Sequence, residues 1–234
     1  PHQVGFKTLF RYDKTKFGVP YSDWDGKLTQ DHTAELGRQY QINLWYPARP
    51  GSGSAIQYEH YVKLMGRQTN FQESKSQEAF ALQTFIDQTN ALGGQGRFTG
   101  EALDTLLQLD VSARLDGKFE AGPFPVVVFP NGSSPAFQSI TAEFLASHGY
   151  IVVGFAPKGR FSFGLEISAI GLETAVDDLE FVLGIVSELP IADVGALALI
   201  GNAISASTCA VAASRNQKIK ALVSLEGGLP SAFE

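Results

Sequence analysis

From Pro125 onward, short runs of apolar, largely β-branched residues alternate with longer stretches whose apolar positions recur every three or four residues. Val126-Val127-Val128-Phe129, Ile151-Val152-Val153-Gly154-Phe155, Leu197-Ala198-Leu199-Ile200 and Ala221-Leu222-Val223-Ser224-Leu225 lack the polar alternation of a strand with one wet face. They read as strands covered on both sides. Between the first two, Phe137, Ile140 and Phe144 have the spacing of a helix's buried stripe, and Gly149 supplies its stop. Between the second and third, Leu172, Val176, Leu179, Leu183 and Val186 make a longer stripe that ends before Pro190. The resulting β-α-β-α-β-α-β order, with right-handed crossovers, predicts an α/β fold built on an open, mostly parallel twisted sheet.

Upstream, Phe6 to Tyr12 and Tyr40 to Tyr46 have strand composition and are expected to add antiparallel strands at one edge of that sheet. The stretch from His60 to Gly122 has a different rhythm. Two helical patterns, Ala79-Leu82-Ile86 and Leu103-Leu106-Leu107, flank Gly93-Gly94-Gln95-Gly96. This predicts a helical insertion over 60–122, ahead of the first parallel strand and over one end of the sheet as a lid. The chain reads as a single domain over 1–234.

Composition narrows the functions. With 44% hydrophobic and 18% charged residues the chain is made to fold. A net charge of -6 leaves no basic footprint for nucleic acid. A single cysteine, Cys209, excludes an internal disulfide and a thiolate zinc site. Asp23, Asp25 and Asp31 lack calcium-loop order, and Asn131-Gly132-Ser133-Ser134-Pro135 is no dinucleotide fingerprint, so neither a metal nor a cofactor is expected. No apolar run is long enough to cross a bilayer. The sequence starts at Pro1 without a methionine or a leader, as a processed secreted or periplasmic protein would, but nothing in it fixes the compartment.

Ligands of parallel sheets bind beyond the carboxyl ends of the strands. After the third parallel strand comes Gly201-Asn202-Ala203-Ile204-Ser205-Ala206. Serine hydrolases of α/β type place their nucleophile in such a sharp strand-to-helix turn, G-x-S-x-G, with small neighbours because the backbones crowd there. Here the small residues are kept and the central position is Ala203.

From Phe124 to Leu229 the sequence resembles the α/β-hydrolases related to platelet-activating-factor acetylhydrolase and dienelactone hydrolase. The residues that carry the resemblance are Pro125 to Gly132, Leu145-Ala146-Ser147-His148-Gly149-Tyr150, the turn at Gly201, Lys220 to Gly227, and Leu44-Trp45-Tyr46-Pro47-Ala48. It implies the α/β-hydrolase fold and descent from a serine carboxylic-ester hydrolase. It also implies an oxyanion hole from the backbone N–H groups of Ser133 and Ile204, with Asn131 where relatives usually carry histidine. Glu226, 23 residues beyond Ala203, takes the position of the acid that orients the catalytic histidine. That histidine, and about two further strands, follow in relatives beyond the position of Glu234. The expected ligand is a small apolar ester. Ala221 to Leu225 is expected to be an open edge that pairs with a second copy or a partner chain.

Other residues are poorer fits to the missing roles. His148 falls at the wrong end of the sheet, His60 would reach the cleft only if the insertion folds over it, and His2 and His32 are unplaced. Ser205 lies beyond the turn, and Cys209 sits in an apolar run behind it. Asp177, Asp178 and Glu180 read as a solvated face or an ion pair. Three functions follow: an ester hydrolase whose serine is replaced by alanine, a naturally inactive relative that binds a ligand or partner, and an enzyme using other residues. Without the serine and a histidine, no serine-hydrolase activity is expected.

Overall fold

The computed structural model describes residues 1–16, 36–93, 99–130, 134–160 and 166–226. Eight strands form one sheet: β1 (Gln3–Asp13), β2 (Arg38–Ala48), β3 (Ser54–Gln57), β4 (Asp110–Leu115), β5 (Phe124–Pro130), β6 (Ile151–Phe155), β7 (Ala192–Asn202) and β8 (Ile219–Leu225). Among the described residues they are accompanied by the α-helices α1 (Tyr58–Lys63), α2 (Lys75–Gly93), α3 (Glu101–Leu107), α4 (Ser139–Ser147), α5 (Ala169–Ser187) and α6 (Ile204–Arg215). The strand order is β3-β4-β1-β2-β6-β5-β7-β8. β6, β5, β7 and β8 run parallel, and β2 joins them antiparallel through Asn43–Gly154, Leu44–Val153 and Trp45–Val152. The four apolar runs of the sequence are these four parallel strands.

Two cores cover the two faces. Val126, Val128, Ile151, Val153, Leu197 and Leu199 point to one, under Val176, Leu179, Val182 and Val186 of α5 and Cys209 and Ala212 of α6. Val127, Phe129, Val152, Trp45 and Phe6 point to the other, under Ala142 and Ala146 of α4 and Tyr61, Val62, Phe85 and Leu103 of α1 to α3. Alternating residues on each strand thus serve different layers, so no polar side of the sequence pattern remains. Helix α5 begins where Ser168 accepts a hydrogen bond from the Gly171 amide at 3.0 Å, an N-cap that satisfies a first-turn donor.

Three sequence expectations change. β1 and β2 do not form an edge, because β4 pairs parallel with β1 and β3 pairs antiparallel with β4 outside them. At four and six residues, β3 and β4 are too short to show a period. The segment 60–122 is therefore not purely helical. It gives β4 to the sheet, and its helices pack on the face that holds Phe6 and Trp45. The stripe Phe137, Ile140 and Phe144 is the exposed side of its segment, at 45%, 82% and 61%, and the buried side consists of Ser139, Ala142 and Ala146. Small residues let α4 lie close on β2 and β6, where three large side chains would hold it off.

Candidate active site

Adjacent strands β5 and β7 send their following helices to opposite faces: α4 lies over Trp45 and Val152, whereas α6 joins α5 on the side of Val126 and Leu199. A crevice opens at the carboxyl ends of two such strands, and there an α/β sheet binds its ligand. The last residues of β7, Gly201 and Asn202, lie at that end of the sheet.

The turn from β7 to α6 is tight. Ala203 has φ 48° and ψ −123°, a conformation that costs a side chain with Cβ about 1–3 kcal/mol. Its amide donates to the Leu225 carbonyl at 3.0 Å, and its own carbonyl accepts from the Ala206 amide at 3.0 Å. A Cβ on Gly201 would fall 2.5 Å from Ala206 Cα and 2.7 Å from its nitrogen, so only glycine fits there. Ser205 braces the turn: its hydroxyl donates to the Asn202 carbonyl at 2.8 Å and accepts from the Asn202 amide at 2.9 Å. It is 2% exposed, so its oxygen is engaged locally and unfit for attack.

Glu226 follows directly. β8 pairs with β7 through Asn202–Leu225, and the next residue, Glu226, also has a positive φ, 62°. Of the four non-glycine residues with positive φ among those described, Ala203 and Glu226 are neighbours across two strand ends. Strained backbone gathers where surrounding structure holds a functional geometry. The structure thus brings Ala203, Ile204 and Glu226 together. Ser133 and Asn131-Gly132 lie outside the described residues, as do His32, Asp23, Asp25 and Asp31.

No described histidine reaches the turn. His148 bonds the Phe144 carbonyl at 2.7 Å just before β6 begins, at the opposite end of the sheet. His2 bonds Glu120 at 2.8 Å and donates its backbone N–H to Ser147. His60 packs edge-on against Phe6, 5.8 Å between centroids, and burial together with nearby Arg67 lowers its pKa. Phe6 lies on β1, four strands from β7, which at the usual spacing is about 19 Å. The insertion does not fold so as to bring His60 to the turn at Ala203. Cys209 is fully buried behind the turn, and burial pushes its thiol up to about 12.

The densest polar chemistry lies elsewhere. Arg38 donates to both carboxylate oxygens of Asp178 at 2.6 Å, Tyr40 donates its hydroxyl at 2.7 Å, and the Lys158 amide donates at 3.0 Å. Arg38 also holds the carbonyls of Lys158 and Gly159, and the Lys158 ammonium donates to the Gln39 carbonyl. Burial opposes Arg38's charge, but Asp178 outweighs it and raises the pKa, while burial lowers Lys158 to about 7. Asp178 is thus a buried ion pair, with Asp177 exposed beside it. Arg38, Tyr40 and Lys158 were missed because their partners lie 140, 138 and 20 residues away, which no local pattern encodes. Among the described residues no group of three candidate metal ligands occurs, and no helix is long and apolar enough to cross a membrane.

No family model and no curated protein matches the chain. Solved structures do. A ferulic acid esterase from Streptomyces cinnamoneus is 19% identical with a TM-score of 0.57, over 92% of this chain and 56% of the esterase. A hypothetical protein from Pseudomonas aeruginosa is 13% identical at TM-score 0.43, over 95% of this chain and 42% of that one. Esterase B from Lactobacillus rhamnosis is 13% identical at 0.39, over 91% and 40%. The chain spans little more than half the length of the first of these. With the mixed sheet, its helices on both faces and this likeness, the chain has the α/β-hydrolase fold.

Proposed function

We propose that the chain is built on a serine carboxylic-ester hydrolase scaffold of the acetylhydrolase and dienelactone hydrolase kind, with Ala203 at the nucleophile position, and that it binds a small apolar ester without hydrolysing it. The observation that carries this reading is the strained turn at Ala203, at the carboxyl end of β7 next to β5. An ordinary helix start has no need of positive φ on alanine, whereas a nucleophile elbow does, because that conformation lifts the central side chain out of the sheet. The Ile204 amide, at the start of α6, serves as one oxyanion donor and the Ser133 amide as the other. Glu226 stands at the acid position.

Ala203 has no oxygen to attack with. p-Nitrophenyl acetate should therefore turn over no faster than in buffer, and a fluorophosphonate should label no serine. Ala203→Ser should fold and stay inert, since no described histidine lies within hydrogen-bond reach of the turn. Stoichiometric labelling of the unaltered protein overturns the reading, as does ester turnover by Ala203→Ser at rates usual for this fold.

A second reading, a binding module for another chain, is favoured by β8. It is the last strand of the described sheet, with Leu222, Val223 and Leu225 at 37%, 44% and 48% exposure and no proline within it. Such an edge pairs readily with another strand. Light scattering at micromolar concentration tests it, and a 25.2 kDa monomer counts against it.

A further inference from the structure

Strands β2 and β6 lie under helices on both faces, whereas β7 and β8 do not. Among the described residues the helices that pack on β7 and β8 are α5 and α6, on the side of Leu197 and Leu199. Register sets Ala221, Val223 and Leu225 of β8 beside Ala198, Ile200 and Asn202 of β7 on the other side, which is the side of α4. There Val223 and Leu225 are exposed and Ala198 and Ile200 only half-buried. This bare face carries no charge between Ala221 and Leu225.

Helix α4 has the matching property. It rests on β2 and β6 through Ser139, Ala142 and Ala146 and turns Ile140 and Phe144 outward, in line with Phe137. Its acid, Glu143, is turned aside to the Tyr61 hydroxyl and the Ser112 amide, which leaves the outward stripe uncharged. Exposed apolar residues by themselves name no partner. These two surfaces, however, fit each other in size and position. Two adjacent strands are about 10 Å wide, the width of one helix, and Ala221 to Leu225 span about 16 Å against about 14 Å for α4. In the order β2-β6-β5-β7-β8, β5 stands midway between the strands under α4 and the two bare ones. A two-fold axis along β5 therefore lays α4 of each copy on β7 and β8 of the other and closes the assembly.

We infer that the bare face of β7 and β8 binds α4 of a second copy of this chain in a two-fold dimer. Phe137, Ile140, Phe144, Val223 and Leu225 leave about 500 Å² accessible per copy, so the reciprocal contact removes about 1,000 Å² from water, what a specific interface needs. No charged group on either surface has to be desolvated. The dimer is independent of ester binding at Ala203. It also differs from pairing through the β8 edge, because it uses the face of the strand and leaves the edge N–H and C=O groups free.

Light scattering at micromolar concentration should give twice the 25.2 kDa of one chain. Ile140→Glu and Val223→Glu should each return it to the monomer with unchanged circular dichroism, since both side chains face solvent in the single copy. Cross-linking separates the possible occupants. Ile140 begins α4 near the carboxyl ends of the strands, Val223 lies toward the same end of β8, and an axis along the strands keeps like ends together. Ile140→Cys mixed with Val223→Cys should therefore form a disulfide between chains, with native Cys209 buried and silent, and neither variant should do so alone. Linking by Val223→Cys alone means edge pairing of β8, and linking by Ile140→Cys alone means contact of α4 with α4. Either result overturns this dimer, as does an unlinked mixture or a monomeric unaltered protein. None of these outcomes bears on the turn at Ala203, which the esterase assays test separately.

Discussion

Two clusters differ in what holds them: one in buried charge, the other in strained backbone. Around Asp178 every charge is buried and answered: Arg38 and Tyr40 meet the carboxylate, and the Lys158 ammonium meets a carbonyl. Around Ala203 there is little charge, but the backbone is strained and Glu226 is exposed. Chemically rich side chains therefore mark the cluster that ties β2, the segment after β6 and α5 together. The plainer cluster holds two strained backbone positions at adjacent strand ends.

The comparison is most sharply broken at Asp178. Asp178→Ala should leave Arg38 buried without its counter-charge and lower stability by about 3–5 kcal/mol, read from the urea midpoint. A loss below about 1 kcal/mol would mean that water reaches the cluster. The turn comes next. Gly201→Ala drives a Cβ into the Ala206 backbone and should cost about 1–3 kcal/mol, with a crystal structure showing α6 displaced.

A pH series then tests Lys158. Its folded pKa of about 7 lies below the unfolded value near 10.4. Between these values the unfolded chain binds more protons, so stability should rise with pH, by about 1 kcal/mol per unit from pH 7 to 9. Lys158→Met should flatten that slope. The smallest effect is expected at Ala203 itself. Ala203→Gly relieves the positive φ but frees the unfolded chain, for a net gain of up to about 1 kcal/mol in thermal denaturation. A loss instead would mean that the Ala203 methyl packs usefully, and would weaken the case for stored strain.

The four parallel strands and the helices between them were legible because burial on both faces leaves a continuous apolar run, and amphipathic helices a 3.6-residue period. The turn at Ala203 was legible too, since glycine and small residues after a strand answer to local crowding. The same local logic failed for α4. Large residues at helical spacing look like a core stripe, yet the close approach to β2 and β6 gave that role to Ala142 and Ala146.

By itself the sequence determined the order of the parallel elements, the small residues of the turn around Ala203, and the position of Glu226 one residue past a strand. These depend on neighbours along the chain. The tertiary structure alone decided that β1 and β2 are interior strands, that His60 packs against Phe6 of β1 four strands from β7, that Asp178 is buried with Arg38, and that Phe137 faces outward. Each of these is set by which segments meet across 20 to 140 residues of chain, and such meetings are fixed by packing of whole layers, not by any local period.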